Sequence, residues 1–507
     1  MNDRRDEESQ PLLTGRAQQM KVPSGTLLMV VWAAGIGGTF QYGYNVSIIN
    51  TPTKAIQSFI NQTWIRRFNA QISPDLLTLL WSTIVSIFTI GGMVGASVGA
   101  TLAVRFGRKP TLLMNNIFAL LAGVLMGLSY LAGVFELLII GRFLSGINAG
   151  VGICVQPLYL GEVAPRALRG TMAMGTSIFI TGGILTGQVM GLNELLGAPE
   201  YWPLLLTATV LPAILQLIFL PWFPESPRFL LIDRANEPAC STALKQLHSG
   251  DSYHGELDDM QRERISAAGI KPKKPWQLFT DPNLRWPLIT IIFICTAQQL
   301  NGINAIYFYA EYVFSEAGVP TEKIPYATVG TGACECLTAL TCSLLIEHWG
   351  RRALIIGGYS LMCLWCICFT VSLTFQSSSW WVPYLSMLCV FAFILSFGLG
   401  PGGVTNILIT ELFTQTTRPA AYMIAGSVNW LSFFFISMVF PFIVNRLQQF
   451  CFLVFLLICL LVATFIFLFV PETKNKTFLE IQAEFSKDRT DTSMMNGDDE
   501  SQASTPM

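Results

Sequence analysis

Charge is scarce in this chain. Of 507 residues only 12% are Asp, Glu, Lys or Arg, 52% are hydrophobic, and the formal net charge is −1. That balance is far from a soluble average and gives no basis for a nucleic-acid surface or a polybasic membrane anchor. Histidine is scarcer still: three residues leave little material for a metal site. No nucleophile paired with a base and no phosphate-cradling glycine loop at an accessible face can be found, so the chain reads as no enzyme, with no cofactor and no metal. The first polar loop has no cysteine. Nearly all twelve cysteines, Cys154, Cys295, Cys334, Cys336 and Cys342 among them, lie in apolar stretches and read as small core residues rather than a disulfide framework. The first 24 residues are polar and acidic at their start, without the basic opening and short apolar core of a signal peptide, so the amino terminus is expected to stay cytosolic.

What the chain has in abundance is apolar runs of membrane-spanning length, about 20 residues each. They fall near 27–48, 77–103, 111–133, 136–160, 170–193 and 202–222, then near 286–313, 326–346, 353–375, 382–410, 420–445 and 449–470. This predicts an all-α integral membrane protein of twelve transmembrane helices in two six-helix bundles. The expected organisation is a tail over 1–26, a first bundle over 27–222, a linker with short surface helices over 223–285, a second bundle over 286–470 and a tail over 471–507.

The halves repeat each other at a nearly constant offset. Arg105-Phe-Gly107-Arg108-Lys109 is answered by His348-Trp-Gly350-Arg351-Arg352, Glu162 and Arg169 by Glu411 and Arg418, and Pro224-Glu-Ser by Pro471-Glu-Thr. An internal duplication explains this, and parallel repeats are a known transporter architecture. Lysine and arginine are biased to one side: Arg105, Arg108, Lys109, Arg166, Arg169, Arg351, Arg352 and Arg418 fall on the face of the tails, which places both termini in the cytosol. The sequon Asn61-Gln-Thr63 then lies on the opposite face, where it reads as a glycosylation acceptor; Asn475-Lys-Thr477 lies on the cytosolic side and should stay unmodified.

The motifs RFGRK, PLYLGEVAPRALRG (157–170), PESPRFL (224–230), QQLNGINAIYFY (298–309), ELFTQTTRPAA (411–421) and PETKNKTF (471–478) run in order along residues 25–485. They resemble the facilitative hexose transporters, solute carrier family 2 of the major facilitator superfamily. The phrases GTFQYGYNVSIIN, LLTLLWSTIVSIF and GPGGVTNILITELF resemble its fructose and urate branch, around members nine and eleven. The resemblance implies the major facilitator fold and alternating access, with a hexose, fructose or glucose, as partner in the lipid bilayer.

A neutral sugar calls for amide and hydroxyl groups rather than charges. Gln298, Gln299 and Asn304 offer three amides in an apolar run; Gln298 and Asn304 cannot share one face of a regular helix, and Gly302 between them permits a break. The resemblance makes them sugar-binding positions; the plainer alternative is amides that join helices. Gln188 matches the family's sugar-contacting glutamine, and Asn429-Trp430 supplies an amide beside a ring that either stacks on sugar or packs in the core. Gly398, Gly400, Pro401, Gly402 and Gly403 predict a bend in the tenth run. Asn406 stands where glucose-selective members have tryptophan, Gly398 where they have glutamate and Asn301 where they have serine, which favours a differently shaped site. Glu335, inside the eighth run where many relatives have asparagine, is either a substrate contact or a structural pair.

By resemblance, Glu162, Arg169, Glu347, Arg351, Glu411 and Arg418 form a salt-bridge network that joins the halves while the cytosolic gate is closed; the alternative is that they only fix topology. Asn45 follows Gly43-Tyr44 where proton-coupled relatives carry aspartate, which favours passive uniport, with Glu335 as the one opening for proton coupling. A non-transporting sugar sensor is the remaining rival. Glu8, Leu12 and Leu13 fit an acidic dileucine signal read by a clathrin adaptor, so plasma membrane and an endosomal or lysosomal membrane are both expected addresses. The carrier is expected to work as a monomer.

Overall fold

A computed structural model describes residues 24–165, 169–247, 253–267, 273–414, 416–474, 476 and 480–481. The dileucine residues Glu8, Leu12 and Leu13, Arg166 and the second sequon's Asn475 and Thr477 lie outside the described residues. The first half contains α1 (Gly25–Ile36), α2 (Thr39–Ser47), α3 (Thr53–Phe68), α4 (Pro74–Phe106), α5 (Arg108–Ala132), α6 (Glu136–Val163), α7 (Arg169–Met190), α8 (Trp202–Thr207) and α9 (Val210–Phe219). The linker carries α10 (Glu237–Leu247), α11 (Tyr253–Ala267) and α12 (Pro275–Thr280). The second half contains α13 (Arg285–Leu300), α14 (Ile303–Glu316), α15 (Ile324–Trp349), α16 (Arg351–Thr374), α17 (Val382–Phe397), α18 (Gly403–Leu412), α19 (Arg418–Leu447) and α20 (Cys451–Phe469).

These elements make twelve spans, with α1 and α2, α8 and α9, α13 and α14, and α17 and α18 each forming one span in two pieces. Among the described residues nine spans are long and apolar enough to cross a bilayer by composition alone. The remaining three are the first span, broken at Gly37-Gly38, and α7 and α15, which pack on each other across the halves.

Backbone groups freed by a break inside lipid must find partners within the protein. At the first break two buried glutamines supply them: Gln156 Oε1 accepts the Thr39 N–H at 2.5 Å, and Gln216 Nε2 donates to the carbonyls of Ala33 at 3.2 Å and Ala34 at 2.9 Å. In the seventh span Asn301 Oδ1 accepts the Ile303 N–H at 3.0 Å, and Gly302 turns the chain at φ +101°. The tenth span passes through a π-helical turn at Gly398–Gly402 that contains Pro401, where its glycines predicted a bend. α4 lies close against α6, where Gly91, Gly95, Gly146 and Gly150 let the backbones touch.

The halves meet along α4 against α19 and α7 against α15. At the face opposite the tails they are joined directly. Lys54 Nζ lies 2.8 Å from Glu311, Gln57 Nε2 donates to the Tyr312 hydroxyl at 2.8 Å, and Asn50 binds the backbone of α14 twice, donating to the Tyr307 carbonyl and accepting the Ala310 N–H at 3.3 Å. Tyr326 also donates across to Glu194. An outer pocket of about 200 Å³ stands beside these contacts, lined by Asn50, Lys54, Trp202, Glu311 and Thr328. This is an outward-closed arrangement.

Replacing Gly302 by alanine should destabilise the protein by at least about 1–2 kcal/mol, the cost of a left-handed non-glycine residue, because its Cβ would also press on the Phe455 ring at 2.6 Å. The check is the thermal midpoint of purified protein in detergent; a midpoint equal to the parent's would mean that the seventh span straightens without loss.

Candidate functional site

The break at Gly302 turns α14 so that its first turn looks back at the end of α13. Asn304 Nδ2 donates to the Gln299 carbonyl at 3.2 Å and to Gln299 Oε1, while Gln299 Nε2 donates to Asn429 Oδ1 on α19 at 2.6 Å. Three predicted amides are thus one hydrogen-bonded cluster. Gln298 is half-buried and its side chain makes no hydrogen bond among the described residues, which leaves that amide free for another partner.

Gln188, on α7, donates through Nε2 to Thr331 Oγ1 on α15 at 3.0 Å, and its buried Oε1 has no partner among the described residues. Glu335 lies one turn further along α15, on the same face as Thr331, and accepts a hydrogen bond from the Tyr307 hydroxyl. Trp430 is 6% exposed, with Tyr42 edge-on at 6.1 Å and Phe433 nearly parallel at 6.2 Å; Gly92 leaves room for its ring. It stands where the halves touch. Asn406 lies exposed on α18, outside the amide cluster, and its backbone carbonyl accepts from Tyr422 at 3.2 Å. Asn61 is on α3 rather than in a loop, with Thr63 of its sequon buried.

Sequence reasoning missed Asn50, Tyr307 and Thr331; single polar residues beside an apolar run carry no signal of a partner. It also gave no sign of a buried cation among the spans. Arg142 on α6 is one: wholly buried, it donates to the Asn45 carbonyl at 2.7 Å, lies 4.6 Å over the Phe88 ring, and has no carboxylate partner among the described residues.

At the tail face the repeated motifs form two matching latches. Arg108 holds Glu162 at 2.8 Å and Asp233 at 2.9 Å; Arg351 holds Glu411 at 2.9 Å. Ser226 donates to Glu162 and Thr473 to Glu411, each at 2.5 Å. Gly107 and Gly350 turn the chain at φ +108° and +86°, so that α5 and α16 begin directly over a second pair of carboxylates. Glu225 accepts the Lys109 N–H at 3.1 Å, and Glu472 accepts the N–H groups of Arg351 at 3.0 Å and Arg352 at 3.1 Å, the favourable placement for an anion at a helix start. Burial pushes the Glu225 carboxyl up from its ordinary range, and the N–H groups of Ser226 and Lys109 and the Arg108 guanidinium oppose that shift.

Arg352 donates to the Phe467 carbonyl at 2.5 Å, Arg418 to the Phe413 carbonyl at 3.2 Å, and exposed Arg105 accepts on its carbonyl from Arg234 at 2.7 Å. Arg108–Glu162 and Arg351–Glu411 each lie within one half, and Arg108–Asp233 joins the first half to the linker; the network expected between halves also involves Arg169 and Glu347. The Arg169 and Glu347 side chains lie outside the described residues.

The sequence matches the family described as sugar (and other) transporter over residues 30–485. The chain is a sugar transporter family member. It is 49% identical to the human solute carrier family 2, facilitated glucose transporter member 11 over 472 residues, covering 93% of this chain and 95% of that one. Human member 9 is 46% identical over 92% of this transporter and 86% of its own length, and mouse member 5 is 44% identical over 91% and 92%. In fold the transporter is similar to the xylose transporter XylE from E. coli in its partially occluded inward open conformation, with TM-score 0.75 and 22% identity over 90% of this chain and 100% of that one. It is therefore a multi-pass membrane protein of the major facilitator fold and a transporter, not an enzyme.

Glu472→Ala removes the acceptor of four backbone N–H groups, those of Arg351, Arg352, Thr473 and Lys474. It should cost about 1–2 kcal/mol, the scale of a lost helix cap, and lower the thermal midpoint of the purified transporter; an unchanged midpoint would show that water caps α16 as well.

Proposed function

We propose that this chain is a facilitative hexose uniporter that carries fructose or glucose down its gradient by alternating access. The observation that carries the reading is the amide cluster of Gln299, Asn304 and Asn429 at the broken seventh span, with the free amide of Gln298 beside it. Such groups offer both donors and acceptors to a neutral polyol and no net charge. Gln188 and Glu335 add acceptors from the α7 and α15 contact, and Asn406 a polar group from α18. Fructose is favoured over glucose by Asn406 and Gly398, which depart from the glucose-selective pattern.

Passive transport is supported by Asn45. Its side chain donates to the Gln41 carbonyl and to Thr209 Oγ1, each at 2.9 Å, and its carbonyl takes the Arg142 guanidinium. The arginine is held by the Asn45 backbone carbonyl, and the Asn45 side-chain amide cannot titrate, so this residue has no proton to exchange. Substrate binding then only shifts the population of outward- and inward-facing states. The two halves are the moving bodies, and Glu162, Arg169, Glu347, Arg351, Glu411 and Arg418 re-pair across the cytosolic face when the outer face opens. The carrier acts as a monomer at the plasma membrane, with Glu8, Leu12 and Leu13 as the signal that sends a share inward through a clathrin adaptor, and with Asn61 as the glycosylated residue.

A second reading, proton-coupled sugar transport or an organic-anion cargo such as urate, is favoured by Glu335 and Arg142 respectively. Purified protein in liposomes should take up labelled fructose saturably without an ion gradient and without internal pH change, and Gln299→Ala should raise KM about fivefold, the worth of one net hydrogen bond. Sugar-driven acidification would establish coupling instead, and urate uptake without sugar uptake would move the cargo to the anion class.

A further inference from the structure

The outer closure and the central site share one residue. Tyr307, on the first turns of α14 beyond the Gly302 break, is 7% exposed. Its hydroxyl donates to Glu335 Oε2, within the second half. Its backbone carbonyl accepts the side-chain amide of Asn50 from the first half, and Asn50 Oδ1 accepts the Ala310 N–H three residues later. One asparagine therefore grips α14 through two backbone groups, and the side chain between those points is anchored on a mid-membrane carboxylate. A phenolic hydroxyl on a carboxylate is also the bond that a sugar hydroxyl would make with Glu335. The two hydroxyls compete for one acceptor.

We propose, resting on the carrier reading above, that Tyr307 is a built-in stand-in for substrate. In the outward-closed arrangement its hydroxyl fills Glu335; a sugar hydroxyl takes its place, and release of the Tyr307 side chain loosens the hold of Asn50 on α14. Tyr307 is a positioning residue that ties occupancy of the site to the outer closure. Glu335 becomes the selectivity point: a sugar lacking the hydroxyl that reaches it cannot displace Tyr307 and is carried poorly. Only hydrogen bonds exchange, and no proton leaves either side chain.

Tyr307→Phe keeps the ring and the backbone carbonyl and removes only the competitor. KM for fructose influx into proteoliposomes should fall about fivefold, one net hydrogen bond no longer being broken on binding. The same substitution in a Glu335→Leu background should change KM by much less, because leucine offers no acceptor for the hydroxyl to occupy. A rise in KM would make Tyr307 a direct sugar ligand and overturn the proposal; so would the same shift in both backgrounds. If Tyr307→Phe cannot be recovered folded, inhibition by a set of mono-deoxy fructoses decides. The parent should discriminate most strongly against one position and Glu335→Leu should erase that preference; an unchanged profile overturns the proposal. Absence of sugar influx in the parent would sink the carrier reading itself, whereas parent influx with an unshifted KM in Tyr307→Phe would sink this inference alone.

Discussion

Inside a bilayer a backbone N–H or C=O that loses its helical partner finds no water to replace it, and this transporter breaks its helices where that constraint is most severe. At Gly37-Gly38 the freed groups are taken by Gln156 and Gln216, from two other spans of the same half. At Gly302 Asn301 takes the Ile303 N–H, and the reversal sets Asn304 against Gln299. The amides that satisfy broken backbone and the amides that can face a solute are therefore neighbours. A polar site at mid-membrane follows from the breaks, and the breaks are tolerable only because side-chain amides surround them.

Apart from Arg142 and Glu335, the charged groups named above lie at the ends of the spans, as the same constraint requires. The carboxylates at the tail face do two different things: Glu162 and Glu411 pair with Arg108 and Arg351, while Glu225 and Glu472 accept the N–H groups at the starts of α5 and α16. The second pair fixes each half as a unit, since a helix start held by backbone bonds does not need to change when the halves move. The first pair is largely buried but rests on single arginines, which can exchange partners. Rigid halves with exchangeable surface pairs are what a rocking motion between two arrangements requires.

Most of the architecture was legible in the sequence because hydrophobic length and the repeated motifs report on single spans and on symmetry, which local residues encode. Gly302 and the Gly398–Gly402 turn were legible for the same reason: glycine and proline disturb a helix wherever they fall. The pairing of Glu335 with Tyr307 was not, nor were the grip of Asn50 on α14 and the burial of Arg142. Each depends on which spans are adjacent, and nothing in an apolar run specifies its neighbour. The cytosolic network illustrates a different limit. Its residues were found from the motifs, but whether they pair within or between halves depends on which arrangement the protein adopts, and one sequence encodes both.

The outer closure is strong enough to exist and weak enough to open. Lys54 is 68% exposed at its side chain, so its bond to Glu311 belongs with surface ion pairs worth about 0–1 kcal/mol. The amide and hydroxyl bonds of Asn50, Gln57 and Tyr326 are each worth about 1 kcal/mol net. Together these amount to a few kcal/mol, of the same order as the differential affinity that one small ligand can supply to two states. A closure built from buried, fully paired charges would hold one arrangement whatever the site contained. Here the contacts described across the outer face are mostly neutral, and one of their anchors, Tyr307, is bonded to the Glu335 carboxylate. The equilibrium between arrangements then falls within the range that occupancy of the site can change, as the proposed passive carrier requires.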